Sequence, residues 1–243
     1  MIISEVVAAG FLGKQRAEYR CVFLIRIEQT MDNFQKFLSG RLDLVNVLAT
    51  DVPGACYADL VLIVTAVLSA CASARWPGTG IDKKRFIELL VSHSPEDSHA
   101  SWVCIPALIN QGLLAEIETP YGSPGQSDRI FRDHEIDLAF DDAKTKYPHI
   151  PSPQLRKHSY ASLIYEWLRC GYAHEYCSHE SITHVPASRR QARVSYIGRV
   201  TPTKLQRMVS FHFDYLMELA QHHVSTLPET PSPIPSKWWI EQG

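Results

Sequence analysis

The segment YADLVLIVTAVLSACASAR, residues 57–75, decides the fold class of this chain. It is apolar on nearly every face of a helix, which is typical of a central helix that other elements cover on all sides. Its apolar run, Leu60 to Ala74, is too short for a bilayer, which needs about 20 residues, and Asp59 and Arg75 flank it. We therefore predict a buried core helix in a mainly α-helical protein, with no membrane span.

Amphipathic patterns on both sides of this segment predict further helices. Apolar residues recur at three- and four-residue spacing, and helix-capping residues or prolines stand at several of the expected ends. The expected architecture is a helical bundle. The predicted helices span Asp32–Ala49, Lys83–His93 with Asp82 as cap, Trp102–Leu114, Ile136–Lys144, Tyr160–Cys177 and a long last helix from Thr201-Pro202 to about Leu219.

The rest of the chain is divided by loops and one predicted β-hairpin at about residues 181–198, where apolar residues alternate around Pro186. Residues 1–30 have weak periodicity and form an uncertain extension before the helical domain, 31–226. A Pro-rich tail, 227–243, favours an extended chain. Two outcomes are open for this tail, which either stays disordered or docks through Trp238-Trp239.

Composition limits the function classes. The 243 residues are 45% hydrophobic and 21% charged, as expected for one globular domain rather than a disordered chain. The net charge of −2 gives no global attraction to a polyanion, so nucleic-acid binding would need a local basic patch. Six scattered cysteines and the lack of a secretory pattern near Met1 favour a reducing compartment, the cytoplasm.

The stretch YASLIYEWLRCGYAHEY, residues 160–176, is the part of the chain that indicates chemistry. Arg169 and His174 lie five residues apart within a predicted helix, and this spacing resembles the signature of the HEPN superfamily. The resemblance covers about residues 57–222. It implies a helical bundle that often dimerises and that, in active members, cleaves RNA without a metal, in toxin or defence systems. Glu166, one turn before Arg169, stands at an acidic position similar to the family's.

The two residue types suit RNA cleavage. A neutral imidazole at His174 can take the proton from a ribose 2′-OH, while the guanidinium of Arg169 binds the phosphoryl oxygens as charge develops. Positions i and i+5 on an α-helix lie about 140° apart, so one regular helix does not bring them together. Either Gly171 loosens the helix, or the two side chains flank a groove made with a second copy of the chain.

Three pairs in the chain match the same spacing. Arg129–His134 lies in a polar loop, and Arg207–His212 lies in the predicted last helix without polar neighbours. Arg169–His174 alone combines an apolar helix face, which fixes orientation, with an acidic neighbour. We therefore predict Arg169, His174 and Glu166 as the catalytic set, with no cofactor and no metal.

A basic tract follows the predicted catalytic helix, and no acidic residue interrupts it between Ser181 and Phe213. Such a tract can contact phosphates, or it can be the charged edge of a solvated hairpin. Tyr172 is a candidate surface for stacking a base. The predicted RNA-binding residues are Arg189, Arg190, Arg193, Arg199 and Tyr172, and Lys204 and Arg207 complete the tract.

Three other interpretations stay open. Cys170, His174 and Cys177 stand at helical spacing and could bind zinc. Many active HEPN members have Asn, Asp or His directly after the arginine, where this chain has Cys170, which favours a catalytically silent module that binds a nucleotide, RNA or a protein. A helical interaction protein that uses Trp238-Trp239 is the third. The expected partners of the ribonuclease are RNA, a second copy of the chain and a possible antitoxin.

Overall fold

The computed structural model describes residues 31–52, 56–115, 130–177, 179–183, 192–200 and 205–242. Within these ranges the chain is mainly α-helical with a small antiparallel sheet, which confirms the predicted fold class. The predicted extension, 1–30, lies outside them. The helices are α1 (31–51), α2 (Tyr57–Arg75), α3 (Asp82–His93), α4 (Ile105–Asn110), α5 (Asp133–Ile136), α6 (Phe140–Lys146), α7 (Ser152–Lys157), α8 (Tyr160–Leu163), α9 (Gly171–Glu175) and α10 (Phe213–Ser225). The strands are β1 (Phe131–Arg132), β2 (Val194–Val200) and β3 (Leu205–Phe211).

Helix α2 lies at the centre of the core and has the predicted bounds. Val61, Val64 and Leu68 are fully buried, and the helix packs against α3, α10 and the segment Ile164–Cys170. By length and composition α2 could cross a membrane, with a mean hydropathy of 1.8 over its most apolar window. Its contacts instead make it a core helix of the bundle, because an all-round apolar surface is satisfied when helices cover it.

The helix predicted over Trp102–Leu114 is wrong in its first part. Val103 pairs with Leu138 and Ser159 in isolated β-bridges, so the chain is extended there and α4 begins only at Ile105. The helix predicted over Ile136–Lys144 is likewise replaced by the short helices α5 and α6. Local helical periodicity is overridden in both places by hydrogen bonds to segments distant in sequence.

The carboxylate of Asp137, between α5 and α6, holds these segments together. Its Oδ1 accepts a hydrogen bond from the backbone N–H of Ile105 at 2.9 Å, and its Oδ2 accepts from the hydroxyls of Tyr160 and Tyr196. Burial raises the pKa of the Asp137 carboxyl to about 7, although these hydrogen bonds act in the opposite direction. We call these four residues the Asp137 cluster.

The sheet has the order β1-β2-β3, and both pairings are antiparallel. The hairpin predicted at 181–198 is displaced along the chain, because its true strands are β2 and β3, with Tyr196 opposite Val209. Ile182, the predicted first strand, contributes only an isolated parallel bridge to Val209. His184 and Pro186 lie outside the described residues.

The long last helix predicted from Thr201 is wrong in its first half. Leu205–Phe211 is strand β3, and α10 begins at Phe213. The apolar spacing of Leu205, Met208 and Val209 fits a helix, but it also fits a strand that is covered on both faces. Pairing with β2 decides between the two, since Val209 and Phe211 are fully buried in the strand conformation.

The Pro-rich tail docks on the helical domain through both tryptophans. Trp238 is buried edge-on against Trp76, with ring centroids 5.6 Å apart. The backbone N–H of Trp239 donates to Oε2 of Glu88 at 2.6 Å, and the guanidinium of Arg156 lies 4.8 Å from a Trp239 ring. Of the two outcomes left open by the sequence, the structure therefore has the docked one.

Candidate functional site

The predicted catalytic residues lie on a continuous helical rod formed by α8, the π-helical segment Ile164–Cys170 and α9. The hydroxyl of Ser159 caps the start of the rod by accepting from the N–H of Ser162 at 3.3 Å. π-helical segments are rare and occur frequently at functional sites. In such a segment the backbone bonds join residues five apart rather than four, which widens the turn and changes which side chains meet.

Arg169, near the end of the π-helical segment, contacts an aromatic ring about one turn earlier. Its guanidinium lies 5.4 Å from the ring centroid of Tyr165, four residues earlier, and Nη1 is 3.9 Å from Sγ of Cys170. The side chain is half-buried. Among the residues that the structure describes, no carboxylate pairs with it. Arg169 is therefore anchored by an aromatic ring, with its positive charge left for another anion.

The carboxylate of Glu166 pairs with a lysine and not with Arg169. Its Oε1 forms an ion pair with Nζ of Lys83 on α3, and the two side chains are 36% and 42% exposed. The helical-spacing pair between Glu166 and Arg169 that the sequence allows is not formed. Glu166 faces a cleft beside the rod, together with Lys83.

His174 lies in the last turn of α9 and is exposed. Within the described part of the chain it makes no hydrogen bond or ion pair. The rod ends two residues later, where Tyr176 adopts the left-handed conformation with φ 50° and ψ 30° and its hydroxyl donates to Asp59. An exposed imidazole at the free end of a rigid element is accessible to a large substrate such as RNA.

The expectation that Gly171 loosens the helix is not met. Its φ of −56° and ψ of −53° are regular α-helical values, and the wide turn precedes it. The five residues from Arg169 to His174 therefore run mainly along regular helix, where the two side chains diverge. The other alternative stated from the sequence, a groove between two copies of the chain, stays a prediction.

The RNA-binding prediction for Tyr172 is wrong for this conformation. Its ring is only 2% exposed and packs edge-on against Tyr57, with centroids 6.5 Å apart. An aromatic ring must be exposed to stack a base, and this one belongs to the core between α2 and α9.

The basic tract is described only in part. Arg189, Arg190, Lys204 and the side chain of Arg199 lie outside the described residues. Arg193 is half-buried just before β2, and its backbone N–H donates to Oδ2 of Asp133 at 3.2 Å. The tract remains a prediction.

The rival Arg-His pairs occupy structural positions. Arg207 is buried, with its guanidinium 4.9 Å from the ring centroid of Phe131, and Nε2 of His212 lies 2.8 Å from the hydroxyl of Ser195. His134 is exposed beside Asp133, while Arg129 lies outside the described residues. Arg207 in β3 and His212, between β3 and α10, therefore stabilise packing.

The zinc interpretation finds no geometric support. Among the described residues, no three His, Cys, Asp or Glu side chains stand close enough to hold a metal ion, so Cys170, His174 and Cys177 do not converge. Cys170 is half-buried and Cys177 is exposed.

A cleft beside the rod is a site that the sequence did not predict. Its volume is about 560 Å³, and it is lined mainly by polar and charged side chains. No spacing in the sequence pointed to it, because its residues come from separate segments. The side chains around it are Lys83, Gln111, Leu113, Gln154, Lys157, His158, Leu163, Glu166, Trp167 and His179.

Two of the cleft residues are histidines with lowered pKa values. Burial is the main cause for both His158 and His179. Each imidazole is consequently neutral near pH 7, with one nitrogen that donates and one that accepts a hydrogen bond.

Comparison with known proteins assigns no family to this arrangement. No family model matches the chain, and neither the curated proteins nor the solved structures give a significant match.

Proposed function

We propose that this protein is a metal-independent endoribonuclease of toxin or defence type that acts in the cytoplasm. The observation that carries the proposal is the environment of Arg169. Its guanidinium is half-buried, held against Tyr165 and without a carboxylate partner among the described residues, while Glu166 is bound to Lys83. Such a guanidinium is suited to forked hydrogen bonding with the oxygens of a phosphodiester.

The reaction needs one base and one anion-binding group. Nε2 or Nδ1 of His174 takes the proton of a ribose 2′-OH, and the resulting oxygen attacks the adjacent phosphorus. Arg169 binds the phosphoryl oxygens as their charge increases. The bond to the 5′-oxygen then breaks, leaving a 2′,3′-cyclic phosphate and, after proton return, a 5′-hydroxyl. DNA lacks the 2′-OH and is not cleaved.

The active unit in this proposal is a homodimer with the rods of the two copies side by side. Arg169 lies in the π-helical segment and His174 in α9, and side chains five positions apart diverge on a mainly regular helix, so in this proposal His174 of one copy completes the site of the other. Light scattering at micromolar concentration tests this. A monomeric mass for a protein that cleaves RNA contradicts the composite site.

The decisive experiment incubates the purified protein with total RNA in EDTA. Arg169→Ala and His174→Ala are each expected to slow cleavage by about a hundredfold or more, because each removes a group that acts in the transition state. Arg169→Lys is also severely impaired, since an ammonium does not reproduce the fork. His134→Ala, another exposed histidine, is the matched control and keeps full activity.

Two results count against this assignment. A folded and fully active His174→Ala protein ends it. Loss of wild-type cleavage in EDTA would instead support a metal bound by Cys170, His174 and Cys177.

The basic tract is proposed as the arm that holds RNA. Charge reversal of Arg189, Arg190 and Arg193 to Glu is expected to weaken RNA binding for all sequences alike and to flatten its salt dependence, because fewer counterions are released. Filter binding at several salt concentrations measures both effects. Unchanged affinity would make the tract a solvated edge.

A catalytically silent module that binds a nucleotide, RNA or a partner protein is the second candidate. Cys170 favours it, because this half-buried thiol contacts the guanidinium of Arg169 and provides only a weak hydrogen-bond donor where active relatives have a polar group. RNA binding without cleavage by either the wild type or a Cys170→Asn variant would support it. Cleavage gained on Cys170→Asn would show that the thiol alone limits activity.

A further inference from the structure

We propose that the cleft beside the rod binds a nucleoside monophosphate. This site is separate from Arg169 and His174, and the inference does not rest on RNA cleavage. Helix α3, helix α7 and the π-helical segment form three sides of the cleft, and His179 forms another. Its volume of about 560 Å³ lies within the range of about 300–1,000 Å³ that is usual for small-molecule sites.

His158 supplies a hydrogen-bond acceptor. The residue is 5% exposed, and Nδ1 lies 2.7 Å from the carbonyl oxygen of Gln154. A carbonyl only accepts, so Nδ1 carries the proton of the neutral ring and Nε2 carries the lone pair. Nε2 has no hydrogen-bond partner among the described residues. An acceptor on a residue that lines an open cleft can accept from a donor on a ligand, such as a ribose hydroxyl.

His179 has the opposite tautomer. The backbone N–H of Ser181 donates to its Nδ1 at 3.1 Å, so the proton of the neutral ring is on Nε2 and can be donated to an anion. The imidazole also lies parallel to the ring of Trp167, at 4.6 Å and 7°. The two rings are thus stacked on each other, and the outer face of the half-buried His179 imidazole is the aromatic surface on which a base can stack.

The charges around the cleft favour an anion. Lys83 and Lys157 are positive, and Glu166 is the one carboxylate among the described residues that line the cleft. Lys83 is paired with Glu166, whereas Lys157 is exposed and has no acidic partner in the described part of the chain. One ammonium is therefore uncompensated, which matches a phosphate monoester.

The complete set of groups is more specific than a phosphate alone requires. Besides the cation and the two histidines, the side-chain amides of Gln111 and Gln154 line the cleft, and an amide can both donate to and accept from a base edge. A nucleoside monophosphate can meet all of these groups at once. Its phosphate fits the lysine, a ribose hydroxyl fits the histidine acceptor, and its base fits the imidazole face and the amides. Inorganic phosphate uses only part of them.

Isothermal titration calorimetry on the full chain tests the proposal, with AMP, GMP, CMP and UMP as probes. At least one of them is expected to bind with one site per chain. His158→Asn keeps a donor near the position of Nδ1 but removes Nε2, and Lys157→Met removes the charge while keeping the length. Each is expected to weaken binding by about tenfold or more. Lys144→Met, an exposed lysine on α6, is the matched control and leaves affinity unchanged.

Further titrations separate the possible outcomes. Inorganic phosphate and the uncharged nucleosides should each bind at least about tenfold more weakly than the best nucleotide. Equal affinity for inorganic phosphate would overturn the nucleotide assignment, and no heat with any of the four probes would overturn the site. Because Lys157 is exposed, Lys157→Met tests the cleft even if His158→Asn fails to fold.

The independence of the two sites is tested with Arg169→Ala. This variant should bind the nucleotide as the wild type does, and loss of binding would show that there is no separate site. A protein that binds a nucleotide but never cleaves RNA refutes the ribonuclease and leaves the cleft proposal standing.

Discussion

The two ends of the helical rod use polar groups in different ways. At the start, Tyr160 donates to the buried carboxylate of Asp137, which Tyr196 and the backbone of Ile105 also contact. At the far end, Arg169 rests on an aromatic ring and His174 is exposed. At the first end the polar groups form hydrogen bonds with one another inside the protein. At the second end they remain available to a ligand. This difference separates residues that hold the fold from residues that can act on a ligand.

The largest expected effect is that of Asp137→Ala at the buried end. Removal of the carboxylate takes away an acceptor that three buried donors share, so the free energy of unfolding should fall by about 3–5 kcal/mol. Urea denaturation followed by circular dichroism measures it. A loss below about 1 kcal/mol would mean that water or rearrangement replaces the carboxylate, and the contrast between the two ends would disappear.

The buried end should also give the protein a distinct pH dependence. The pKa of Asp137 is raised to about 7 in the folded state, so the folded protein holds this proton more tightly than the unfolded chain. Its contribution to stability is full below the unfolded pKa of about 4 and is lost as the pH rises through 7. Between about pH 4 and about pH 7, the free energy of unfolding of the wild type should fall by about 1–3 kcal/mol more than that of Asp137→Asn. If the free energies of unfolding of the two proteins change with pH in parallel, the raised pKa of Asp137 is contradicted.

A smaller effect is expected for Tyr160→Phe. It removes one of two hydroxyls that donate to the same oxygen of Asp137 and keeps the ring, which packs edge-on against Phe211 at 5.9 Å. The free energy of unfolding should fall by about 1 kcal/mol. A thermal melt beside that of Tyr165→Phe, whose ring lies farther along the rod, provides the comparison.

The smallest effects on stability are expected at the far end. Arg169→Ala loses its contact with Tyr165 and should cost less than about 1 kcal/mol, and His174→Ala should change stability by less than about 0.5 kcal/mol. The same denaturation series measures both. If either variant costs as much as Asp137→Ala, that residue is structural and its proposed role in cleavage needs another explanation.

Apolar runs and amphipathic periodicity predicted the helices that pack on the core. The bounds of α2 followed from its apolar run, and α1 and α3 from amphipathic spacing. β3 was mistaken for helix, because the spacing of Leu205, Met208 and Val209 satisfies both periods and pairing with β2 decides the outcome. Long-range pairing leaves no local signal in one sequence.

The candidate sites divide in the same way. Arg169 and His174 could be singled out because their spacing and helix are local. The contact partner of Arg169 could not, since ordinary helical spacing brings both Glu166 and Tyr165 near it, and only the fold pairs Glu166 with Lys83 instead. Lys83, His158 and His179 were missed as a group because only the folded chain brings them to one cleft.

The π-helical segment has a consequence for how this rod tolerates changes in length. A turn closed by five-residue rather than four-residue hydrogen bonds accommodates one more residue than an α-helical turn, so the rod is equivalent to an α-helix that has absorbed a single insertion. Deleting one residue between Ile164 and Cys170 could therefore restore a regular helix instead of destroying it. Because the wide turn already takes up the surplus residue, the helix after such a deletion should keep its orientation relative to the start of the rod. The orientation of His174 about the helix axis is thus maintained by the wide turn.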